Sequence, residues 1–473
     1  MGTVRFFRHS TQLFRYYIPT EFILLGIIEF LILFYSLYLG LELRFWRMDW
    51  QDDLGSYYLK AFLYAAVMQV SLLAFGVYQR QAGRFVDEMM LRIASGLLLG
   101  LIPIGVSYYI APAFFLGCGV LAVTVLLSFV LISIVRLLFR QIAKENNMWS
   151  RVLVLGAGKN ADLIKQASET GELKGLNILG FVAMPGDRQA TDNCDVIKFE
   201  RTLVEYAAEK DVDEIVLAVD DRREGGLPTK DLLDCKMSGI DILDTVSFFE
   251  QRSGKIRLDL LYPSWLYLSD GFHESAFRNV IKRTFDLAVV MLLLPIALPL
   301  MLLVSIAIFV ESMGRGGILY KQVRVKRDNR PFEIYKFRSM IADAENDGVA
   351  RWASKNDSRI TRVGSVIRVL RLDELPQLFN VLKGDMSFVG PRPERPEFVH
   401  QLAEKIPFYE ERHRVKPGLT GWAQIRYPYG DTEEDSRQKL QYDLYYVKNF
   451  SIFLDLLILV QTVEVVLMGK GAQ

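Results

Sequence analysis

The sequence predicts a membrane α-helical bundle of four spans, then a Rossmann-like α/β module, then a mostly helical domain carrying a re-entrant membrane helix hairpin. Three observations predict it. Four long apolar runs fill the first 150 residues, a glycine turn follows a short apolar strand at Gly156, and a fifth apolar run beginning after Asp286 contains two prolines. The expected boundaries are 1–145, 146–262 and 263–473. A chain of 473 residues is too long for one ordinary domain, and 51% hydrophobic residues exclude intrinsic disorder. With 56 Lys and Arg against 55 Asp and Glu there is no net positive field for nucleic acid. Cys118, Cys194 and Cys235 show no CxxC pairing, so neither a disulfide framework nor a structural zinc site is expected.

The four runs are Phe22 to Leu43, Tyr57 to Tyr78, Ile93 to Ile110 and Phe114 to Leu138. Each is near the ~20 residues that cross a bilayer, and none is followed by a signal-peptide cleavage site. Arg5, Arg8 and Arg15 precede the first run, Arg80, Arg84 and Arg92 separate the second from the third, and Arg136, Arg140 and Lys144 close the fourth. The positive-inside rule therefore puts the N-terminus and everything after residue 145 in the cytoplasm. Glu29 lies mid-span, as a functional group or as one half of an interhelical pair.

Arg151–Leu155 reads as a strand, and Gly156-Ala-Gly158-Lys-Asn-Ala161 as the turn into a helix, the G-x-G-x-x-A opening of a nucleotide-binding unit. Strands over 178–183, 196–199 and 214–219, with a helix over 202–210, make a parallel sheet. Gly156 and Gly158 would bind a cofactor phosphate. The second strand lacks the closing acid that holds a ribose, and Asp187 comes late, so a structural or regulatory module is the other reading. Tyr206 and Lys210 have dehydrogenase spacing but follow the turn too soon for that chemistry.

The fifth run, about 280–311, contains Pro295 and Pro299. Each removes a helical hydrogen bond. Lys282 and Arg283 flank one end, and Arg315, Lys321 and Arg324 the other, so both ends belong on the cytoplasmic side. A helix–break–helix hairpin satisfies both facts, and a kinked fifth span is the alternative. A last apolar stretch, about 450–468, is interrupted by Asp455, Gln461 and Glu464 and is expected to lie flat in the interface.

Chemistry concentrates after Tyr320. Two strands joined at Asp328-Asn329 carry Arg324, Lys336 and Arg338, suited either to a solvated edge or to an anionic ligand. Arg368, Arg371, Asp373 and Glu374 precede a helical pattern of Leu375, Leu378, Phe379 and Leu382. Asp373 sits where an N-cap belongs. The same place suits a carboxylate acting on phosphorus beside a divalent metal, its neighbour Glu374 serving as metal ligand or base. Pro391-Arg392-Pro393 fixes the backbone about one guanidinium, and Lys416–Gln424 is another stiff turn.

Five segments occur in an order that identifies a resemblance: Tyr335-Lys-Phe-Arg-Ser-Met340, Leu372-Asp-Glu-Leu-Pro-Gln377, Lys383-Gly-Asp-Met-Ser-Phe-Val-Gly-Pro-Arg-Pro393, Lys416-Pro-Gly-Leu-Thr-Gly421 and Tyr442-Asp-Leu-Tyr-Tyr-Val-Lys448. The chain resembles the polyprenyl-phosphate phosphoglycosyl transferases, the large monotopic type of exopolysaccharide, capsule and O-antigen assembly. The resemblance implies that Asp373 attacks the β-phosphorus of a UDP-sugar, expels UMP and holds a phosphosugar that polyprenyl (undecaprenyl) phosphate then accepts. It implies Mg²⁺ at Asp373 and Glu374, and donor contacts from Arg392 and Gln424. It implies a place in the bacterial inner membrane, the catalytic domain cytoplasmic, with membrane lipids and a second copy of the chain as partners. The family's Ser-Pro break appears here as Leu294-Pro295, and Arg371 replaces the commoner Ser before the dyad. The sugar is left open among glucose, galactose and an N-acetylated sugar. The competing class is a non-catalytic membrane scaffold whose α/β module senses a nucleotide.

Overall fold

The computed structural model describes residues 10–13, 16–46, 57–78, 86–145, 149–173, 175–185, 187, 196–197, 202–221, 227–262, 265, 269, 271–272, 275–341, 359–428, 430 and 432–467. The chain forms two compact units, Met1–Ser253 and Gly254–Gln473. The second therefore begins at Gly254 and not at 263. Ile256 N donates to Gln441 O (3.0 Å) and Trp422 Nε1 to Gly254 O (2.8 Å), so this stretch packs with the C-terminal part.

The first unit opens with a hairpin, β1 (Ser10–Leu13) and β2 (Tyr16–Pro19). Four helices follow: α1 (Thr20–Phe45), α2 (Tyr58–Ala74), α3 (Val86–Ile110) and α4 (Cys118–Glu145). Three of them are long and apolar enough to cross a membrane. The second predicted span is a helix of only 17 residues, about 26 Å. Leu33, Tyr64, Met68, Leu72, Ile93 and Ile132 are buried between the helices, while Leu24, Ile27, Leu31 and Tyr35 are exposed on the outside. That inside-and-outside apolarity is what lipid as solvent requires. Glu29 is fully buried and has the interhelical partner: Arg136 Nε lies 2.6 Å from Oε1 and Nη2 2.9 Å from Oε2. Arg136 Nη1 donates to Val77 O at 2.8 Å, and Tyr78 OH donates to the same carboxylate.

The same unit continues with β3 (Ser150–Leu155), α5 (Lys159–Glu169), β4 (Leu176–Val182), α6 (Leu203–Glu209), β5 (Glu214–Leu217), α7 (Thr229–Met237), β6 (Asp241–Asp244) and α8 (Thr245–Ser253). The sheet order is β4-β3-β5-β6 and every pairing is parallel. Val152–Leu155 are wholly buried because both faces of such a sheet are covered. The strand expected over 196–199 is reduced to a bridge between Val196 and Phe181, with 198–199 outside the described residues.

The second unit holds α9 (Ala276–Glu311), β7 (Leu319–Val325), β8 (Pro331–Phe337), α10 (Arg362–Val369), α11 (Gln377–Lys383), β9 (Ser387–Val389), α12 (Pro396–Lys405), β10 (Gly418–Thr420), α13 (Trp422–Arg426), α14 (Glu433–Asn449) and α15 (Ile452–Leu467). α9 runs as one helix through Pro295 and Pro299, where a break in the helix was expected. Both of its ends bond to the same unit. Arg283 donates to Val381 O (2.5 Å) and Leu382 O (2.6 Å), and Asp286 accepts from Ser387 Oγ (2.9 Å) and Phe388 N (3.1 Å). At the far end Glu311 accepts from Val363 N at 3.1 Å. Between them Leu292, Ile296, Leu302 and Leu303 are exposed.

α15 buries two of the polar residues that interrupt its apolar run. Asp455 and Gln461, read as polar breaks, are buried at 0% and 6% exposure. Lys282 Nζ reaches Asp455 Oδ2 at 2.6 Å and Tyr446 OH donates to Oδ1 at 2.7 Å, so the charge is paired inside the unit. A carboxylate with such partners can be buried where an isolated one cannot.

Candidate active site

The predicted capping role of Asp373 does not hold. Arg371 adopts the left-handed conformation (φ 58°), which ends α10 and turns the chain into a 3₁₀ turn over Leu372–Glu374. Leu375 N bonds Leu372 O and Leu378 N bonds Leu375 O, both i→i+3 contacts, and α11 starts only at Gln377 behind Pro376. The dyad is therefore displayed in the first turn of a 3₁₀ helix that leads through Leu375 and Pro376 into α11.

Glu374 is the hub. Lys336 Nζ from β8 and Arg392 Nη2 each lie 3.2 Å from its Oε1, and Arg371 Nη1 lies 3.9 Å away. Burial by itself raises the Glu374 carboxyl, but Lys336, then Arg392 and Arg371, hold it far below the usual carboxylate range. Burial pushes the Asp373 carboxyl up, and the neighbouring Glu374 charge adds to the shift. Two adjacent carboxylates thus acquire opposite characters, which is how one site obtains two roles. Asp373 Oδ1 is buried with no hydrogen-bond partner among the described residues. Burial lowers Lys336, against the pull of Glu374.

The Arg392 backbone is held at nearly every carbonyl. Val389 O accepts from Tyr446 OH (3.0 Å) and Lys282 Nζ (3.3 Å), Pro391 O from Gly418 N (3.0 Å), Arg392 O from Arg412 Nη2 (3.0 Å), and Pro393 O from Arg324 Nη1 (3.2 Å). Pro391 and Pro393 fix the remaining torsions. The guanidinium is thus delivered to Glu374 from a rigid frame. Arg412 is itself paired with Asp443 at 2.8 Å. Arg412 and Asp443 are supporting residues that pattern reading missed. The quoted segment beginning at Tyr442 contains Asp443, but nothing in its spacing shows the partner.

These groups open on one cavity of about 870 Å³. Asp373, Glu374, Lys336, Arg392, Arg368, Arg371, Arg338 and Gln424 all line it, whereas Pro391, Pro393, Pro295 and Pro299 do not. Gln424 Oε1 is buried without a partner among the described residues. Arg324 and Glu394, 3.4 Å apart, line it too.

The second predicted site has a different character. Asp220 accepts from Lys159 N and Asn160 N, both at 3.0 Å, and Asp187 accepts from Ala157 N (2.8 Å) and Met184 N (2.9 Å). A Cβ on Gly158 would lie 2.3 Å from Asp220 Oδ2, and one on Gly156 (φ 133°) would lie 2.5 Å from Ala218 O. The glycines are needed for close approach, but the amides that a cofactor phosphate would take are held by the chain's own carboxylates. The late Asp187 closes the turn.

Two family models match, bacterial sugar transferase over residues 277–469 and CoA-binding domain over 73–227. The chain is 44% identical over 239 residues to UDP-N-acetylgalactosamine-undecaprenyl-phosphate N-acetylgalactosaminephosphotransferase of Aeromonas hydrophila, covering 50% of this chain and 55% of that protein. It is 44% identical over 199 residues to undecaprenyl-phosphate glucose phosphotransferase of Komagataeibacter xylinus, covering 40% and 36%. It is 31% identical over 371 residues to UDP-galactose-lipid carrier transferase of Erwinia amylovora, covering 74% and 75%. The match thus spans about half the length of the first of these relatives, a third of the second and three quarters of the third.

Proposed function

The chain belongs to the bacterial sugar transferases, and on that premise we propose that it transfers a sugar-1-phosphate from a UDP-sugar to undecaprenyl or another polyprenyl phosphate, initiating glycan assembly. The observation that carries the reading is Asp373, a carboxylate with an unpartnered buried oxygen, beside three cations gathered on Glu374. An anion attacking a diphosphate meets charge repulsion, and Lys336, Arg371 and Arg392 offset it in a site partly closed to water. In the first step an Asp373 oxygen bonds to the β-phosphorus while the bond from that phosphorus to the bridging oxygen breaks. UMP leaves with the bridging oxygen and its electron pair. In the second step an oxygen of the lipid phosphate bonds to the same phosphorus, the Asp373–phosphorus bond breaks, and the carboxylate is regenerated. Splitting the transfer this way suits a water-soluble donor and a lipid acceptor that need not be bound together.

The donor set fits a magnesium ion in one arrangement. Asp373 Oδ1 is the open acceptor, Glu374 Oε1 is already engaged by cations, and no group of three metal-binding side chains gathers among the described residues. Asp373 would therefore hold the ion with one oxygen, assisted at most by the second oxygen of Glu374, and donor phosphates and water would complete the shell. Bound there, Mg²⁺ supplies charge neutralisation at the diphosphate.

The three relatives carry different sugars in their names, so the donor is tested as a panel. Membranes containing the protein should release about one UMP per chain from the accepted UDP-sugar without acceptor, and turn over when undecaprenyl phosphate is added. Chelation should stop both. Release of UDP in place of UMP would rule the reaction out.

For the membrane arrangement we propose that α9, one helix bent at its two prolines, enters and leaves the membrane on the same side, with the catalytic unit on the cytoplasmic face of the bacterial inner membrane. Support comes from the bonds of Arg283, Asp286 and Glu311 to one folded unit, because a helix anchored to the same body at both ends has no route across a bilayer. In a cysteine-free background, cysteines at Ser275 and Gly317 should react with an impermeant maleimide only after spheroplasts are opened. Labelling of either from outside contradicts this arrangement.

A further inference from the structure

The strand pair β7–β8 holds two parts of the site at once. Tyr320 pairs with Lys336, Gln322 with Ile334 and Arg324 with Phe332, so these side chains share one face of the antiparallel pair. Tyr320, Gln322, Arg324 and Lys336 all line the cavity. At one end β8 delivers Lys336 to Glu374, 3.2 Å away. Four residue steps along, about 13 Å at ~3.3 Å per residue, β7 meets the loop that carries Arg392. Arg324 Nη1 donates to Pro393 O (3.2 Å) and reaches Glu394 Oε2 (3.4 Å), and Val325 N donates to Glu394 O (2.9 Å). The rest of the guanidinium is engaged as well: Nε and Nη2 both donate to Gln322 Oε1, at 2.9 and 2.5 Å. The sequence left Arg324 between a solvated edge and an anion ligand. In the fold its side chain is 18% exposed, and each of its three nitrogens bonds to its own chain.

We infer that Arg324 is a positioning residue for the transfer reaction. It ties the Pro393 end of the Pro391-Arg392-Pro393 loop to the strand pair that carries Lys336, and so sets the spacing of the two cations that meet on Glu374 Oε1. The assignment rests on the proposed reaction, in which those cations offset the repulsion between Asp373 and a diphosphate. Stabilisation of that kind depends on cations already in place when charge develops, and a displacement of ~1 Å costs up to about 10²-fold in rate. The position calls for a fork. One planar guanidinium holds Gln322 with two nitrogens and the loop carbonyl with the third, whereas a lysine ammonium is a point charge on a flexible stem. Charge at this position is therefore secondary, and the guanidinium is used for its shape.

The test separates charge from geometry in the full chain in nanodiscs, reading the acceptor-independent UMP burst at saturating UDP-sugar. Arg324→Lys keeps the charge and loses the fork. It should slow the burst at least about tenfold, with the amplitude still about one UMP per chain and the donor KM within about threefold, the signature of an interaction made in the transition state. A merely structural role would lower the amplitude, as the folded fraction fell, and leave the rate. Arg324→Met, with neither charge nor fork, should be within about twofold of Arg324→Lys. Because Arg324 acts through Arg392, adding Arg324→Lys to Arg392→Lys should cost less than about twofold more. Gln322→Leu loosens the fork from its other side and should slow the burst about threefold or more, so the test survives if Arg324→Lys folds poorly. A burst rate within about twofold of the parent in folded Arg324→Lys, or an unchanged rate in Gln322→Leu, overturns the assignment; the first would make Arg324 a charge contact for the substrate. A full tenfold loss on top of Arg392→Lys, about as large as in the parent, overturns it too, since Arg324 would then act on its own. If the parent itself shows no burst, the transfer reaction has failed and the assignment falls with it; a normal parent burst with a fast Arg324→Lys means that only the assignment has failed.

Discussion

Asp373→Asn is expected to lower UMP release by at least about 10³-fold, the scale of losing a covalent nucleophile, while the folded yield and the mobility of the detergent-solubilised protein stay unchanged. The amide keeps the size of the carboxylate but cannot bond to phosphorus as an anion. The side chain has a buried oxygen without a partner among the described residues, so no hydrogen-bond network is lost with the substitution. Incubation with a donor labelled in the β-phosphate and sugar should label the parent chain and leave the variant blank. Retained labelling in Asp373→Asn would move the nucleophile elsewhere. The pH profile of the parent should carry the same signature. Burial, with Glu374 adding to it, raises the Asp373 carboxyl, and only the ionised form attacks. Activity is therefore full above that raised pKa and is lost as pH falls through it, above the range of an exposed aspartate.

Glu29→Ala should have the largest effect on stability. It leaves Arg136, 6% exposed, without its carboxylate among the spans. Removing one partner of a buried pair costs about 3–5 kcal/mol, and an intramembrane charge has little water to turn to. The expected result is loss of most monodisperse protein on size exclusion after detergent extraction. Glu29→Leu/Arg136→Leu should recover much of it, because it removes both charges. If the single variant behaves like the parent, the pair contributes little to the bundle.

Much of the site was legible from residue order. The dyad, Lys336 and Arg392 were picked out as chemistry-bearing, and the structure brings them within hydrogen-bonding distance through Glu374. The capping reading of Asp373 was reasonable on spacing and failed because Arg371 turns left-handed, a backbone event that no side-chain pattern announces. Asp455 and Gln461 interrupt the last apolar run, and the pattern alone shows no partner for either. Asp455 meets Lys282, 173 positions away. Sequence spacing shows neighbours along one helix and is blind to a partner that far off.

By itself the sequence determined the number and order of the apolar helices, the parallel α/β module and the residues able to do phosphate chemistry. These follow from local periodicity, from the ~20-residue length of a bilayer crossing and from the intrinsic charge of side chains. Only the tertiary structure decided which partners those residues meet. It gave the glycine-turn amides to Asp187 and Asp220, the cations to Glu374, and an open oxygen to Asp373. It also joined both ends of α9 to one body. The physical reason is common to all of these. Whether a polar group is spent on its own chain or remains available to a ligand depends on which distant partner reaches it first, and that is settled by packing.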